Sequence, residues 1–148
     1  MDETDLLFQL DGDADVMKYI TLGIPRTMDE VIEKSMPRIL KSYQGKKDFG
    51  IFAAYLINSE KYIGWFQFEK DREFEGSIEI GWRLKKQYWG NGYATEVATS
   101  LCELGIKMGK TIVARAMIEN LASIRVMEKA GLKFEKKFWY PNSSSPDV

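Results

Sequence analysis

There is no histidine in this chain of 148 residues, and only one cysteine, Cys102. Without imidazole the side chain that titrates near neutral pH is missing, so acid–base chemistry falls to carboxylates, hydroxyls or water. A lone cysteine closes no internal disulfide. No apolar run approaches the roughly 18 residues of a membrane span, and no charged-apolar-small leader opens the chain. These absences predict a cytoplasmic protein without membrane contact. A single domain of this length buries about two-thirds of its unfolded surface without a metal or disulfide, and none is expected. The net charge of −1 gives no reason to expect nucleic acid as a partner. Charge is nevertheless uneven. Residues 1–30 hold eight acids and two bases, whereas residues 83–137 hold eleven bases and five acids, a split that suits a cationic acceptor at one end and an anionic ligand at the other.

What is present is an alternation of helical and strand patterns. Asp2 to Ile20 carries Leu6, Leu7, Leu10, Val16, Met17 and Ile20 around Asp11-Gly12-Asp13, as one helix or two short ones. Thr27 and Glu30 have capping-box spacing, and the helix that follows is expected to turn Val31, Ile32, Ile39 and Leu40 inward, with Pro37 kinking or dividing it. Beyond a polar turn at Gln44 to Asp48, residues 49–57, 61–68 and 77–84 read as an antiparallel meander. A helix over 94–108, a strand over 111–117, a short helix over 120–130 stopped by Gly131, and a strand over 132–140 complete the pattern. The tail from Pro141 to Pro146 is too polar to pack.

The most informative stretch runs from Ser77 to Thr95. Ile78, Ile80, Trp82 and Leu84 alternate with Ser77, Glu79, Gly81 and Arg83, a strand with one buried face. Gly90 and Gly92 then bracket Asn91 immediately before the long helix. A helix opening on a glycine turn is a natural seat for phosphate or pyrophosphate, because its first amides lack partners and carry the positive end of the dipole. The nucleoside-triphosphate loop is excluded for want of Lys-Ser or Lys-Thr after the glycines, and Thr95 makes the dinucleotide fingerprint incomplete. Gln87-Tyr88-Trp89-Gly90-Asn91-Gly92 does satisfy Q-x-x-G-x-G.

That motif, with Glu79-Ile80-Gly81-Trp82 before it, Tyr93-Ala94-Thr95-Glu96 after it, and Asn120-Leu121-Ala122-Ser123 followed by Glu128-Lys129-Ala130-Gly131-Leu132, resembles the GCN5-related N-acetyltransferase (GNAT) superfamily. The closest likeness is to its RimJ/RimL-type branch, the ribosomal-protein alanine N-acetyltransferases. The resemblance implies one α/β (α+β) domain over 1–148: a central mixed, mostly antiparallel sheet flanked by helices. Two parallel strands, 78–84 and 111–117, would splay to admit the pantetheine of acetyl-CoA. It also implies cofactor contacts from Trp82, Leu84, Gln87, Tyr88, Trp89, Gly90, Asn91, Gly92, Tyr93, Ala94, Thr95, Asn120 and Ser123. The other reading of Asn120 is a helix cap.

An amine must lose a proton before attacking the thioester, since its pKa is about 8 at a chain terminus and about 10.4 on lysine. Glu79 is the candidate base and a backbone amide near Ile80 to Trp82 the candidate oxyanion donor. Many members carry a tyrosine seven residues after the asparagine, where this chain has Met127. The resemblance to the RimJ/RimL-type branch, which has a serine near the thioester sulfur at this position, implies Ser123 as the candidate there. Cys102 lies on the apolar stripe of the long helix and reads as an inert buried thiol. Met17, Tyr19, Trp65, Phe66, Gln67 and Trp82 are candidates to line a pocket for a peptide N-terminus, a lysine or a small amine. The family's first and last strands have no counterparts here, which predicts exposed sheet edges and a homodimer or a shortened form. A catalytically degenerate acyl-CoA-binding module and a nucleotide-binding oxidoreductase are the competing readings.

Overall fold

The computed structural model describes residues 2–44, 47–139 and 146–147. It divides into two compact units, Met1–Glu69 with Trp82–Asn91, and Lys70–Gly81 with Gly92–Val148. The fold is mixed α/β, with a four-stranded sheet in the order β1-β2-β3-β4, and β3 contributes to both units. No helix among the described residues is long and apolar enough to cross a membrane.

In the first unit, helix α1 (Glu3–Asp11) opens on a capping box in which the Asp2 carboxylate accepts from Asp5 N at 2.9 Å. It ends where Gly12 and Asp13 divert the chain. Asp13 Oδ1 accepts from the Asp15 amide at 2.9 Å, an Asx turn that replaces the second helix the apolar spacing allowed. The Thr27–Glu30 box is formed and starts a short helix, α2 (Met28–Glu30). One π-helical turn, Val31–Ser35, joins α2 to α3 (Met36–Tyr43), with Met36 N donating back to Val31 O ahead of Pro37. That extra residue rotates the helix, so the inward stripe is Val31, Ser35, Ile39 and Ser42, while Ile32 and Leu40 are half exposed, contrary to the sequence expectation. Leu7, Leu10, Val16 and Val31 form the core, with Phe8, Met36, Ile39 and Trp65 against it.

Strands β1 (Gly50–Tyr55) and β2 (Tyr62–Lys70) pair antiparallel, with a bulge between Ala54 and Tyr55. On the outer side of β1, Ile51 N donates to Ser42 Oγ at 3.0 Å and Ile51 O accepts from the Tyr43 hydroxyl, so α3 covers the start of this edge. Strand β3 (Ser77–Leu84) runs against β2 so closely at Gly64 that a Cβ there would stand 2.0 Å from Arg83 O and 2.8 Å from the Leu84 Cα. Gly64→Ala should therefore force the two strands apart, at about 1–3 kcal/mol. Thermal melting would register this as a fall of several degrees, roughly 2–4 °C per kcal/mol. Coincident melting curves for variant and wild type would show that β3 shifts without cost.

In the second unit the first residues of β3 pair in parallel with β4 (Thr111–Val113), across helix α4 (Tyr93–Lys107). Ile78, Ile80, Ala98, Cys102 and Met127 are buried. Helix α5 (Leu121–Lys129) is capped by Asn120 and followed by Gly131 at φ +94°. Two expected strands are shorter than their composition suggested. Strand β4 stops at Val113 rather than Met117, and residues 132–137 have no regular structure, leaving β5 (Phe138–Trp139) paired with β6 (Pro146–Asp147). Pro146 thus joins a ladder, although the tail was expected not to pack; residues 140–145 lie outside the described ones, as do Gly45 and Lys46 of the expected polar turn.

Candidate acetyl-CoA site and the Glu79 cluster

The glycine turn is built by the chain between β3 and α4. After one 3-10 turn at Lys86–Tyr88, Trp89 is extended and Gly90 and Gly92 adopt φ of +75° and +80°. A Cβ at either glycine would meet nothing within 4 Å, so the left-handed backbone, not crowding, selects glycine here. The result is a bare stretch of backbone that a large anion can approach. The indole Nε1 of Trp89 donates to Leu84 O at 2.9 Å and Asn91 Nδ2 donates to Trp89 O at 3.1 Å, fixing the turn on the end of β3. Helix α4 begins at Tyr93 with Gly92 as its cap, which brings no side chain to cover the first amides; Glu96 N closes the first turn on Gly92 O at 2.9 Å. Within the second unit, the uncovered first amides of α4 are of the kind that fit a pyrophosphate.

Of the sequence-derived contacts, Trp82, Leu84, Gln87, Tyr88, Trp89, Gly90 and Asn91 belong to the first unit. Leu84 is buried and its carbonyl already serves Trp89, whereas Gln87 is exposed and Trp82 half-buried. Gly92, Tyr93, Ala94, Thr95, Asn120, Ser123 and Glu79 belong to the second. Asn120 Oδ1 accepts from Ser123 N at 3.2 Å, so the cap reading of Asn120 is realised, and both residues stand together at the start of α5. The proposed acceptor pocket needs correction at two places: Met17 and Phe66 are 0% and 4% exposed and belong to the core, because Met17 is enclosed within the turns after α1 and Phe66 lies at a buried position of β2. Burial also raises the Cys102 thiol above its ordinary pKa, as an inert cysteine requires.

Glu79 is mostly enclosed and ion-paired. Its Oε1 lies 3.3 Å from Nη1 of Arg115, whose guanidinium also meets Asp71 Oδ2 at 2.6 Å, Asp71 Oδ1 at 3.3 Å and Glu73 Oε2 at 3.4 Å. Burial alone would raise the Asp71 carboxyl, but hydrogen bonds from Arg115 and from the amides of Phe74 and Glu73 outweigh it and hold it below the usual carboxylate range. Arg115 is held above its ordinary range, first by the Asp71 hydrogen bond. A cavity of about 410 Å³ in the same unit is bordered by Glu73, Phe74 and Arg115 and floored by Ile112, Ile124 and Met127. Sequence reasoning missed Arg115 and Asp71, which stand 44 residues apart and share no motif. Among the described residues, no group of three or more His, Cys, Asp or Glu side chains could hold a metal ion.

The parallel pairing of β3 with β4 spans Ser77↔Thr111, Ile78↔Ile112 and Glu79↔Val113 and ends there, while β3 continues to Leu84. Glu79 therefore stands where the two strands part.

Residues 1–133 match the Acetyltransferase (GNAT) domain family. An uncharacterised N-acetyltransferase of Bacillus subtilis, YnaD, is 32% identical over 134 residues, covering 89% of this chain and 74% of the relative. A GNAT-family acetyltransferase of Bacillus anthracis superposes with a TM-score of 0.76 at 31% identity, over 98% of this chain and 84% of that one. The aminoglycoside acetyltransferase AAC(6')-Ib, in complex with coenzyme A and kanamycin, shares the fold with a TM-score of 0.74 at 23% identity, over 100% and 88% of the two chains. The glycine turn, the parting parallel strands and these matches agree, and the oxidoreductase reading falls with them: the chain belongs to the GNAT family of acetyl-CoA-dependent acetyltransferases.

Proposed function

We propose that this acetyltransferase domain transfers the acetyl group to a primary amine, a peptide N-terminus, a lysine or a small amine, by direct attack in a ternary complex. The observation that carries the reading is the parting of β3 from β4 immediately after Glu79 and Val113. Strands that part there turn backbone groups toward whatever enters, and they do so beside a carboxylate. Acetyl-CoA supplies an acyl group on a good leaving thiolate. The amides around Gly90 to Thr95 hold its pyrophosphate, and Asn120 and Ser123 hold the pantetheine end. Glu79 takes the proton of the incoming ammonium, directly or through a water, since no histidine is available. An amide near Ile80 to Trp82 stabilises the developing oxyanion, and Ser123 steadies the departing sulfur. The aminoglycoside bound by the structural relative above is itself an amine, and the acidic first thirty residues favour a cationic acceptor.

Melting the protein with acetyl-CoA, NAD and ATP in separate samples tests the cofactor. At a hundredfold its dissociation constant a ligand stabilises by about 2.7 kcal/mol, or roughly 5–10 °C at this size. Acetyl-CoA alone should produce that rise, and a panel of spermine, kanamycin and a peptide with a free N-terminus should then reveal an acetylated product. No rise with acetyl-CoA would overturn the reading of the glycine turn. A rise with no product from any amine would favour the degenerate binding module.

A further inference from the structure

We propose that Arg115, clamped by Asp71, is a positioning residue that fixes the Glu79 carboxylate for proton transfer; this rests on the reading of Glu79 as the base. Arg115 follows β4 by two residues and its side chain is 12% exposed, and that of Asp71 is 0% exposed. Asp71 is immobilised from three sides: its Oδ1 accepts from the amides of Glu73 and Phe74 at 2.8 and 2.7 Å, and its own amide donates to Ser77 O at 2.9 Å. The guanidinium bound across both Asp71 oxygens inherits that rigidity, and its Nη1 reaches Glu79 Oε1 at 3.3 Å. One oxygen of Glu79 is thus paired with a fixed charge, which restricts where the carboxylate can swing. The planar fork of arginine is required, because a lysine ammonium is a point charge that cannot span Asp71 in two places and still orient Glu79. The charged groups converging here are Asp71 and Glu73 from the turn after β2, Glu79 from β3 and Arg115 from beyond β4, with Lys136 lying over the nearby Phe74 ring at 5.1 Å.

The test uses the full chain, acetyl-CoA and whichever of spermine, kanamycin or peptide N-terminus the wild type acetylates. Arg115→Lys and Asp71→Asn are each measured alone and on a Glu79→Gln background. Each single substitution should lower kcat by about tenfold or more. The KM for acetyl-CoA should stay within about threefold, and the melting rise produced by acetyl-CoA should be retained, because cofactor binding is not the step being positioned. On the Glu79→Gln background the same substitutions should change kcat by less than about twofold, since they act only through the missing carboxylate. Wild-type kcat in a folded Arg115→Lys protein, or an unchanged penalty on the Glu79→Gln background, would overturn the proposal. Should Arg115→Lys fail to fold, Asp71→Asn makes the same comparison. If instead Glu79→Gln alone leaves kcat intact, the base assignment itself falls.

Discussion

Replacing Asp11 with alanine should cost the fold about 3–5 kcal/mol, the range for breaking a buried ion pair from one side, and lower the melting temperature by on the order of 10 °C. The Asp11 carboxylate is fully enclosed in the first unit. It accepts from Arg83 Nη1 at 2.6 Å and from Ser35 Oγ at 2.9 Å, with Arg26 Nη1 at 3.5 Å, across separations of 72, 24 and 15 residues. Arg83 depends on it most. Its Nε is buried with no hydrogen-bond partner, and burial pulls its pKa down against the opposing pull of Asp11. The Trp65 ring, 4.9 Å away, adds support, a contact worth about 2 kcal/mol when desolvated. Removing Asp11 leaves a buried cation facing the Trp65 ring and the like charge of Arg26. The contrast is Asp15, whose pair with Lys86 is as short at 2.6 Å but more than half exposed on both sides; Asp15→Asn should leave the melting curve where it is, because water and salt screen that pair. Equal melting temperatures for the two variants would refute the ranking.

The second large effect is on rate. Glu79→Gln should reduce kcat by about a hundredfold or more near neutral pH, within the range for a positioned general base. Glutamine keeps the shape and still offers Arg115 an oxygen, so the loss isolates proton acceptance from packing. The penalty has a sign with pH. Below the pKa of the acceptor the amine arrives protonated and needs the carboxylate. Above it, at about 8 for an α-amino group and about 10.4 for lysine, the amine arrives neutral and the variant should recover toward wild type. A ratio of wild-type to variant rate within twofold at every pH would remove Glu79 from the chemistry.

How much of this was legible beforehand follows from the range of the interactions involved. Strand β3 was read to its bounds, Ser77 to Leu84, because strict alternation is a local signal. The Thr27–Glu30 box and the Asn120 cap were visible for the same reason, each spanning three residues. The glycine turn was legible because backbone conformation at Gly90 and Gly92 restricts residue type whatever surrounds them. The inward face of α3 was misread, since apolar residues were assumed to point in, whereas Ser35 and Ser42 are inside to serve Asp11 and Ile51. Composition also extended β4 and the last strand too far, because β-branched residues in the first and aromatic residues in the second mark a strand's tendency and not the partner that ends it. The ion-pair hubs at Asp11 and Arg115 were invisible, as nothing in one sequence couples residues 72 or 44 positions apart.

The cover that α3 places on β1 bears on how copies of this chain meet one another. An outer strand is a template on which a foreign strand can grow, and its most dangerous form is long, flat and apolar. Here growth from one end is blocked where Ser42 and Tyr43 occupy both backbone groups of Ile51, and the bulge after Ala54 bends the other end out of register. Only Ala53 is left between them to face outward in a regular ladder. Side chains on this strand can be as apolar as Phe52 and Tyr55, both over 40% exposed, without the backbone becoming a seed for fibrillar stacking. The same two hydrogen bonds make the last turn of α3 a guard on colloidal behaviour as well as a piece of the fold.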